Sequence, residues 1–279
     1  ASIEILIGDF PEEMIPELVI ASPAVPLDSP LLIRMKEAGV PVLSEIELGW
    51  RFEKGTVLAI TGTNGKTTTT TLVGEIMKAA AAGKNAECSE ESGSKNCSGD
   101  GGSGKSDDST PKVFVVGNIG RSYAAAATET EQDSWTVGEI SSFQLEAADT
   151  FRPHVSAILN ITPDHLNRHY TMLNYAAIKE RIAKNQTGED FCILNYDDPY
   201  LRPFGEPLCP ARVVWFSSKS TLPEGYYLDG DEIFFAERGK AARRLINVNE
   251  TQLVGVCNAE NVMAAIAMTS SAGVPMQTI

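Results

Sequence analysis

Short apolar, β-branched runs recur along the chain at residues 3–7, 18–21, 57–60, 113–116, 135–140, 157–161, 191–195 and 212–216. Several are almost continuously apolar rather than alternating, the pattern of strands whose two faces are both covered by helices in a parallel sheet. Helix-length stretches lie between them. Over 66–82, Leu72, Val73, Ile76, Met77 and Ala80 fall on one helical face, and 258–272 reads as a second amphipathic or buried helix stopped by Gly273 and Pro275. The pattern predicts an α/β fold with a mostly parallel sheet flanked by helices.

Residues 1–50 read as two strands and a helix near 30–38, closing on 40–43, and so as the tail of a smaller α/β domain. A second domain is expected over 51–279. Within it, 84–110 is rich in Ser, Gly, Asp, Glu and Lys and nearly devoid of large apolar residues. Such a stretch buries too little surface to offset its ordering entropy and is expected to be a disordered insert.

The formal net charge of the 279 residues is −14, which argues against sequence-independent binding to a nucleic-acid backbone, a mode that needs a concentrated positive face. An anionic ligand must then be held by local N–H groups, individual lysines and metal ions. No apolar run reaches membrane-spanning length and no targeting segment stands at the start. The first residues read as a strand already under way, as if the beginning lay elsewhere. Five cysteines, Cys88, Cys97, Cys192, Cys209 and Cys257, lack zinc-type spacing and fit free thiols in a reducing cytoplasm, with no catalytic role.

Directly after the apolar run at 56–60 stands Gly62-Thr63-Asn64-Gly65-Lys66-Thr67. A strand turning through glycines into a helix offers backbone N–H groups and the positive helix end to phosphate oxygens, with Lys66 reaching terminal phosphates and the Thr67 hydroxyl ligating Mg²⁺. The general pattern wants a glycine where this chain has Ile60, so the shorter form GxxGK[ST] stands here. The plain alternative is a glycine turn before an ordinary helix. Against it, a lysine at a helix N-terminus opposes the dipole, and the threonines from Thr67 to Thr71 are poor helix formers.

Two further polar clusters follow strands. In Gly138-Glu139-Ile140-Ser141-Ser142-Phe143-Gln144-Leu145-Glu146, Glu139 stands at a strand's carboxyl end, where it either holds Mg²⁺ beside Thr67 or caps the next helix. Ser141, Ser142 and Gln144 serve equally as caps or ligand donors. In Asn160-Ile161-Thr162-Pro163-Asp164-His165-Leu166-Asn167-Arg168-His169, the two histidines have helical metal-pair spacing, but Leu166 replaces the glutamate of zinc peptidases, so no dedicated zinc site is expected. His165 beside Asp164 is a candidate for a second Mg²⁺; His154 reads as structural or solvated.

The order of these motifs resembles the Mur ligase family. Thr61 to Thr68 has a form shared across that superfamily, folate-polyglutamylating ligases included. Gly117-Asn118-Ile119-Gly120, the stretch 139–146 and the stretch 164–169 are similar to those of the members that add D-glutamate to UDP-N-acetylmuramoyl-L-alanine. The resemblance implies that Gly62, Thr63, Asn64, Gly65, Lys66, Thr67 and Thr68 cradle ATP, with Lys66, His165 and Lys179 catalytic. It also implies one Mg²⁺ on Thr67 and Glu139 and a second served by His165, with Lys179 carried as a carbamate that supports metal. Asn118, Ser141 and Gln144 would meet the uridine-diphosphate sugar, and Asn258 and Asn261 the adenine. From the residues alone, Lys179 would be a helical surface lysine and the two asparagines helix caps.

The implied chemistry is phosphoryl transfer to a substrate carboxylate, giving an acyl phosphate, followed by attack of the D-glutamate amine. The implied architecture has three domains. This chain would hold the tail of a Rossmann-like first domain that binds the uridine substrate, all of the central ATP-binding domain and none of the amino-acid-binding third, as a monomer without turnover of its own. Cys257 and Ala24 depart from the histidine and glycine that the family favours. Another amino-acid ligase of the superfamily, and a non-catalytic nucleotide-binding module whose insert contacts a partner, remain open alternatives.

Overall fold

The computed structural model describes residues 10–91 and 110–279. The expected strand at 3–7 and most of the expected insert lie outside the described residues. The chain first forms a two-stranded parallel sheet, β1 (Val19–Ala21) and β2 (Val42–Ser44), joined through α1 (Pro30–Glu37). Ser44 then caps α2 (Glu45–Phe52), its side chain accepting from the Glu47 N–H. The expected domain boundary at 50/51 falls inside this helix, which runs on unbroken because Ile46 is buried in the core of the larger sheet.

That sheet contains β3 (Thr56–Thr61), β4 (Val113–Gly117), β5 (Trp135–Glu139), β6 (Val155–Ile158), β7 (Phe191–Asn195), β8 (Arg212–Ser217), β9 (Gly225–Asp229), β10 (Glu232–Ala236) and β11 (Arg243–Asn247). Among the described residues the spatial order is β4-β5-β3-β6-β7-β8-β9-β10-β11. All neighbours from β4 to β9 pair in parallel, and the last two pairs are antiparallel. This is the expected mostly parallel α/β sheet. The antiparallel end was not foreseen: β11 opens on two arginines and has only two adjacent apolar residues, and the apolar run 233–236 of β10 carried no expectation. β6 lies two residues earlier than expected: the strand ends at Ile158, and residues 159–161 lead into the loop that follows it.

Helices cover both faces. On one side α3 (Lys66–Glu91) and α9 (Val256–Ser271) bury Val73, Met77, Met263 and Met268 against Leu58, Ile60, Val137 and Ile193. On the other, α2, α4 (Tyr123–Ala127), α5 (Ser142–Glu146) and α7 (Met172–Glu180) bury Ile46, Tyr123, Leu145 and Tyr175 against Val57, Ala59, Ile158 and Leu194. Adjacent β3 residues therefore face opposite cores, as a two-residue period requires. Two short helices, α6 (Leu166–His169) and α8 (Leu201–Pro203), sit in the connections. α3 ends at Glu91, beyond the expected end at residue 82 and into the stretch read as insert; no proline interrupts it there.

From β3 the chain crosses to the β4 edge, returns in β5, and then passes to the other side of β3 for β6. The carboxyl ends of β5, β3 and β6 thus stand side by side where the winding reverses, the position at which open α/β sheets bind ligands.

Candidate nucleotide-binding site

At the end of β3 the backbone turns through Gly62 and Gly65, the latter at φ 82°. The positive φ of Gly65 favours glycine, and a Cβ there would push the Asn261 side-chain amide out of its place. The threonines that open α3 are accounted for by packing and pairing: Thr69 and Thr70 are buried, and the Thr71 hydroxyl donates to Thr67 O at 2.8 Å.

Two lysines converge on this turn. Lys66 Nζ donates to Gly62 O at 2.9 Å and Thr63 O at 2.8 Å, and Lys179 Nζ, from α7, donates to the same Gly62 O at 2.8 Å. Lys179 is 1% exposed, with Nζ 4.7 Å from the Tyr175 ring centre; it is no surface lysine. Burial, reinforced by the nearby Lys66 charge and opposed by Asp164, pushes its pKa down to about 7. Burial likewise lowers that of Lys66, against the pull of Glu139 and Asp164.

Beside them the Glu139 carboxylate, 1% exposed, is held from both sides. Thr67 Oγ1 donates to Oε2 at 2.9 Å and Asn118 Nδ2 donates to Oε1 at 2.9 Å, while Asn118 N donates to Glu139 O at 2.9 Å. A hydroxyl and a carboxylate are hard oxygen donors suited to Mg²⁺, which commonly takes one or two carboxylates and completes its shell with phosphate oxygens and water. Among the described residues no group of three or more His, Cys, Asp or Glu residues forms a ready-made metal cage.

The two histidines of the third cluster do not form a pair. His165 has φ 50°, is half exposed, and approaches Asp164 at 3.4 Å and the Phe143 ring at 4.8 Å. His169 is buried, its Nε2 3.0 Å from Ser142 Oγ and its ring stacked 5.2 Å from Tyr175. His154 bonds Asp190 at 3.2 Å, a structural contact. Ser141 and Gln144 form a capping box at the start of α5: Gln144 N donates to Ser141 Oγ, and Ser141 N donates to Gln144 Oε1. Asn261 is buried against the loop, accepting from Thr69 Oγ1 at 3.3 Å and donating to Asn258 Oδ1 at 3.2 Å.

Three contributors carried no expectation. Asn160 bonds the Asn64 backbone from β6's exit loop. Tyr175 lies between Thr63, Lys179 and His169. Arg168 makes a two-pronged pair with Glu146, at 3.0 and 2.6 Å, and reaches the carbonyls of Ala24 and Val25, joining the first segment to the site. A cavity of about 480 Å³ opens there, lined by Leu27, Asp28, Arg168, Tyr170 and Asn174 among others. Only the position of Asn160 and Arg168 within a polar run after a strand could have drawn attention to them.

A strand–glycine turn–helix with two lysines and a threonine–carboxylate pair, at the winding reversal of a parallel sheet, is an arrangement in which α/β proteins bind phosphate. Residues 60–269 match the Mur ligase middle domain, and the chain belongs to the Mur ligase family. It is 48% identical over 274 residues to the UDP-N-acetylmuramoylalanine--D-glutamate ligase of Lachnospira eligens, covering 98% of this chain and 54% of the relative. To the ligase of the same name from Lachnoclostridium phytofermentans it is 46% identical over 278 residues, covering 99% and 54%. The chain therefore spans about half the length of the curated relatives it matches.

Among solved structures, a UDP-N-acetylmuramoyl-L-alanyl-D-glutamate--2,6-diaminopimelate ligase superposes with a TM-score of 0.57 at 17% identity, covering 99% of this chain and 63% of that one. The MurF ligase of Thermotoga maritima in complex with ADP gives 0.50 at 14% identity, covering 96% and 64%. At such identities these likenesses show the fold.

Proposed function

We propose that this chain supplies the ATP site of an ADP-forming ligase that joins D-glutamate to UDP-N-acetylmuramoyl-L-alanine in peptidoglycan precursor synthesis. The names of its relatives support the reaction. The observation that carries the nucleotide site is the pairing of Thr67 Oγ1 with Glu139 Oε2 at 2.9 Å next to the Lys66 and Lys179 amines. Thr67 and Glu139 would hold Mg²⁺, which would offset the negative charge of the β- and γ-phosphates.

In the first step a substrate carboxylate oxygen attacks the γ-phosphorus in line, the bond to the bridging oxygen breaks, ADP leaves and an acyl phosphate forms. In the second the D-glutamate amine attacks the acyl carbon, phosphate departs and the amine gives up a proton, leaving an amide. Both partners of the first step are anions, so the main task is to offset their repulsion. Lys66, turning from the Gly62 and Thr63 carbonyls to the terminal phosphates, supplies a positive charge there.

Lys179, with its pKa near 7, has a substantial neutral amine fraction at neutral pH. A neutral amine is the form that adds CO₂, losing a proton to give a carbamate, an anionic oxygen donor. Asn118 stands at the same edge, and Ser141 and Gln144 are assigned to the uridine-diphosphate sugar side; His165 is assigned to a second cation. Asn258 and Asn261 are assigned to the adenine, at the start of α9. Residues 1–50 are assigned to the domain that binds the uridine substrate, and the D-glutamate contacts to the length of the relatives that this chain does not span. We place the protein in the cytoplasm, as a monomer; among the described residues no helix is long and apolar enough to cross a membrane.

The test is a calorimetric titration of Mg·ATP into this chain and its Lys66→Ala variant. Saturable binding that weakens at least about tenfold in the variant is expected for the loss of a charge-assisted phosphate contact. Equal heats from both proteins would refute the phosphate-loop assignment.

A further inference from the structure

The parallel ladder between β3 and β6 runs in register from Leu58↔Val155 to Thr61↔Ile158. It then continues past both strand ends: Leu159 N donates to Thr61 O at 3.0 Å and Thr63 N donates to Asn160 O at 2.9 Å. There β3's chain turns away to form the phosphate loop, and no β6 peptide group meets Asn64. The Asn160 side chain meets it instead. Its Oδ1 accepts from Asn64 N at 2.8 Å and its Nδ2 donates to Asn64 O at 3.1 Å.

We infer that Asn160 is a positioning residue of the phosphate loop, its side-chain amide standing in for one peptide group of the β3–β6 ladder and fixing Asn64 in the turn that presents phosphate-binding N–H groups. Asparagine and glutamine alone combine a carbonyl acceptor and an N–H donor as a peptide does. The two partners settle the amide's orientation, since the reverse would set donor against donor and acceptor against acceptor. Thr63 is fastened one residue earlier by a similar device: its hydroxyl donates to Thr162 O at 3.2 Å and accepts from Thr162 N at 3.0 Å. The loop is thus anchored at two successive residues to the segment that also carries Asp164 and His165. Immediately after it, the first N–H groups of α3 lack intrahelical acceptors and remain free for an anion. Holding those groups in place before the anion arrives spares the ordering cost at binding.

This inference rests on the nucleotide reading for its functional consequence but not for the brace itself, so two measurements are needed. The first is native-state amide exchange by NMR on the chain without nucleotide, comparing wild type with Asn160→Leu and Asn160→Asp. Asn64 N–H is expected to exchange about tenfold faster or more in Asn160→Leu, the loss of one hydrogen bond, while amides in the middle of β3 and α3 keep their rates. In Asn160→Asp one oxygen still accepts from Asn64 N–H but the other faces Asn64 O where Nδ2 donated, so its protection is expected to fall between those of wild type and Asn160→Leu. Should Asn160→Leu fail to fold, the aspartate variant still decides: Asn64 exchange as slow there as in wild type would overturn the brace.

The second is calorimetry with adenosine, Mg·ADP and Mg·ATP. Asn160→Leu is expected to weaken both nucleotides about tenfold while leaving adenosine affinity unchanged. Equal losses for all three would mark a general structural role and overturn the positioning assignment, as would unchanged Asn64 exchange. A wild-type chain that binds neither nucleotide would refute the nucleotide reading, and the exchange rates would then decide the brace alone.

Discussion

Glu47 offers a quantitative test of how the first segment is joined to the large sheet. Its side chain is 0% exposed and is surrounded by donors. Oε2 accepts from the N–H groups of Asp149, Thr150 and Phe151 at 2.9, 2.9 and 3.2 Å, and Oε1 from Thr150 Oγ1 at 2.6 Å and Arg51 Nε at 3.1 Å. Glu47→Ala strips three main-chain N–H groups of their acceptor. Each buried donor left unpaired costs about 1–3 kcal/mol, less where water enters, so a total of about 4 kcal/mol is expected. Domains of this size are stable by only about 5–15 kcal/mol, and each kcal/mol moves Tm by about 2–4 °C, so the variant should melt about 10 °C lower by circular dichroism.

The pH dependence gives a second reading of the same contact. Burial alone would raise the Glu47 pKa, but the Thr150 hydroxyl, the Asp149 and Thr150 N–H groups and Arg51 together hold it below its ordinary 4.5. A carboxylate with a depressed folded pKa contributes stability that is complete above its unfolded pKa and lost as pH falls through the folded one. Wild-type Tm should therefore drop more steeply below pH 4.5 than that of Glu47→Gln, which cannot titrate. A loss under about 3 °C in Glu47→Ala at pH 7, or parallel acid profiles, would refute the reasoning.

Gly65→Ala should abolish detectable Mg·ATP binding in calorimetry, since the new methyl meets the Asn261 side-chain oxygen at a positive-φ position; it should cost about 2 kcal/mol or more of stability as well. Incubation with ¹³C-bicarbonate should give a carbamate carbon signal by NMR in wild type, and none in Lys179→Ala. Asn118→Leu leaves Glu139 Oε1 without its amide donor, so Mg·ATP affinity should fall about tenfold to a hundredfold, the worth of a hydrogen bond to a charged group, with no uridine substrate present. An unchanged affinity would confine Asn118 to substrate contacts.

The parallel sheet could be read from sequence because strands buried on both faces leave an unmistakable mark: the apolar runs of β3, β5, β7 and β8 carry almost no polar interruption. β11 carries no such mark; β10 does have a short apolar run, 233–236, but nothing in it announces an antiparallel partner. Arg243 and Arg244 are exposed on an edge strand while Leu245 and Ile246 pack inward, and five residues of mixed character are read as easily as loop. α2 was missed for a related reason. Its eight residues owe their place to the Ser44 cap and to Glu47, whose partners lie a hundred residues on and are invisible to any local window.

The site divides along the same line. Gly62 to Thr67 and Glu139 stood out in the sequence because a glycine turn after a strand and a carboxylate at a strand's end are patterns of contiguous residues. The surroundings that set their chemistry come from elsewhere in the fold. Lys179 looks like any helical lysine until α7 is packed on β3's carboxyl end, where burial and the Lys66 charge push its pKa down against the pull of Asp164. The spacing of His165 and His169 was not read as a dedicated zinc site, and in the fold a left-handed backbone at His165 starts α6 with that residue outside the helix, while both rings pack against Phe143. Ser141 and Gln144 point the other way: as capping residues they were plain in sequence, and in the fold they spend their hydrogen bonds holding α5 immediately after Glu139. A uridine-diphosphate sugar that engaged them would have to compete with that cap, so truncating either one should loosen α5 as well as weaken the substrate.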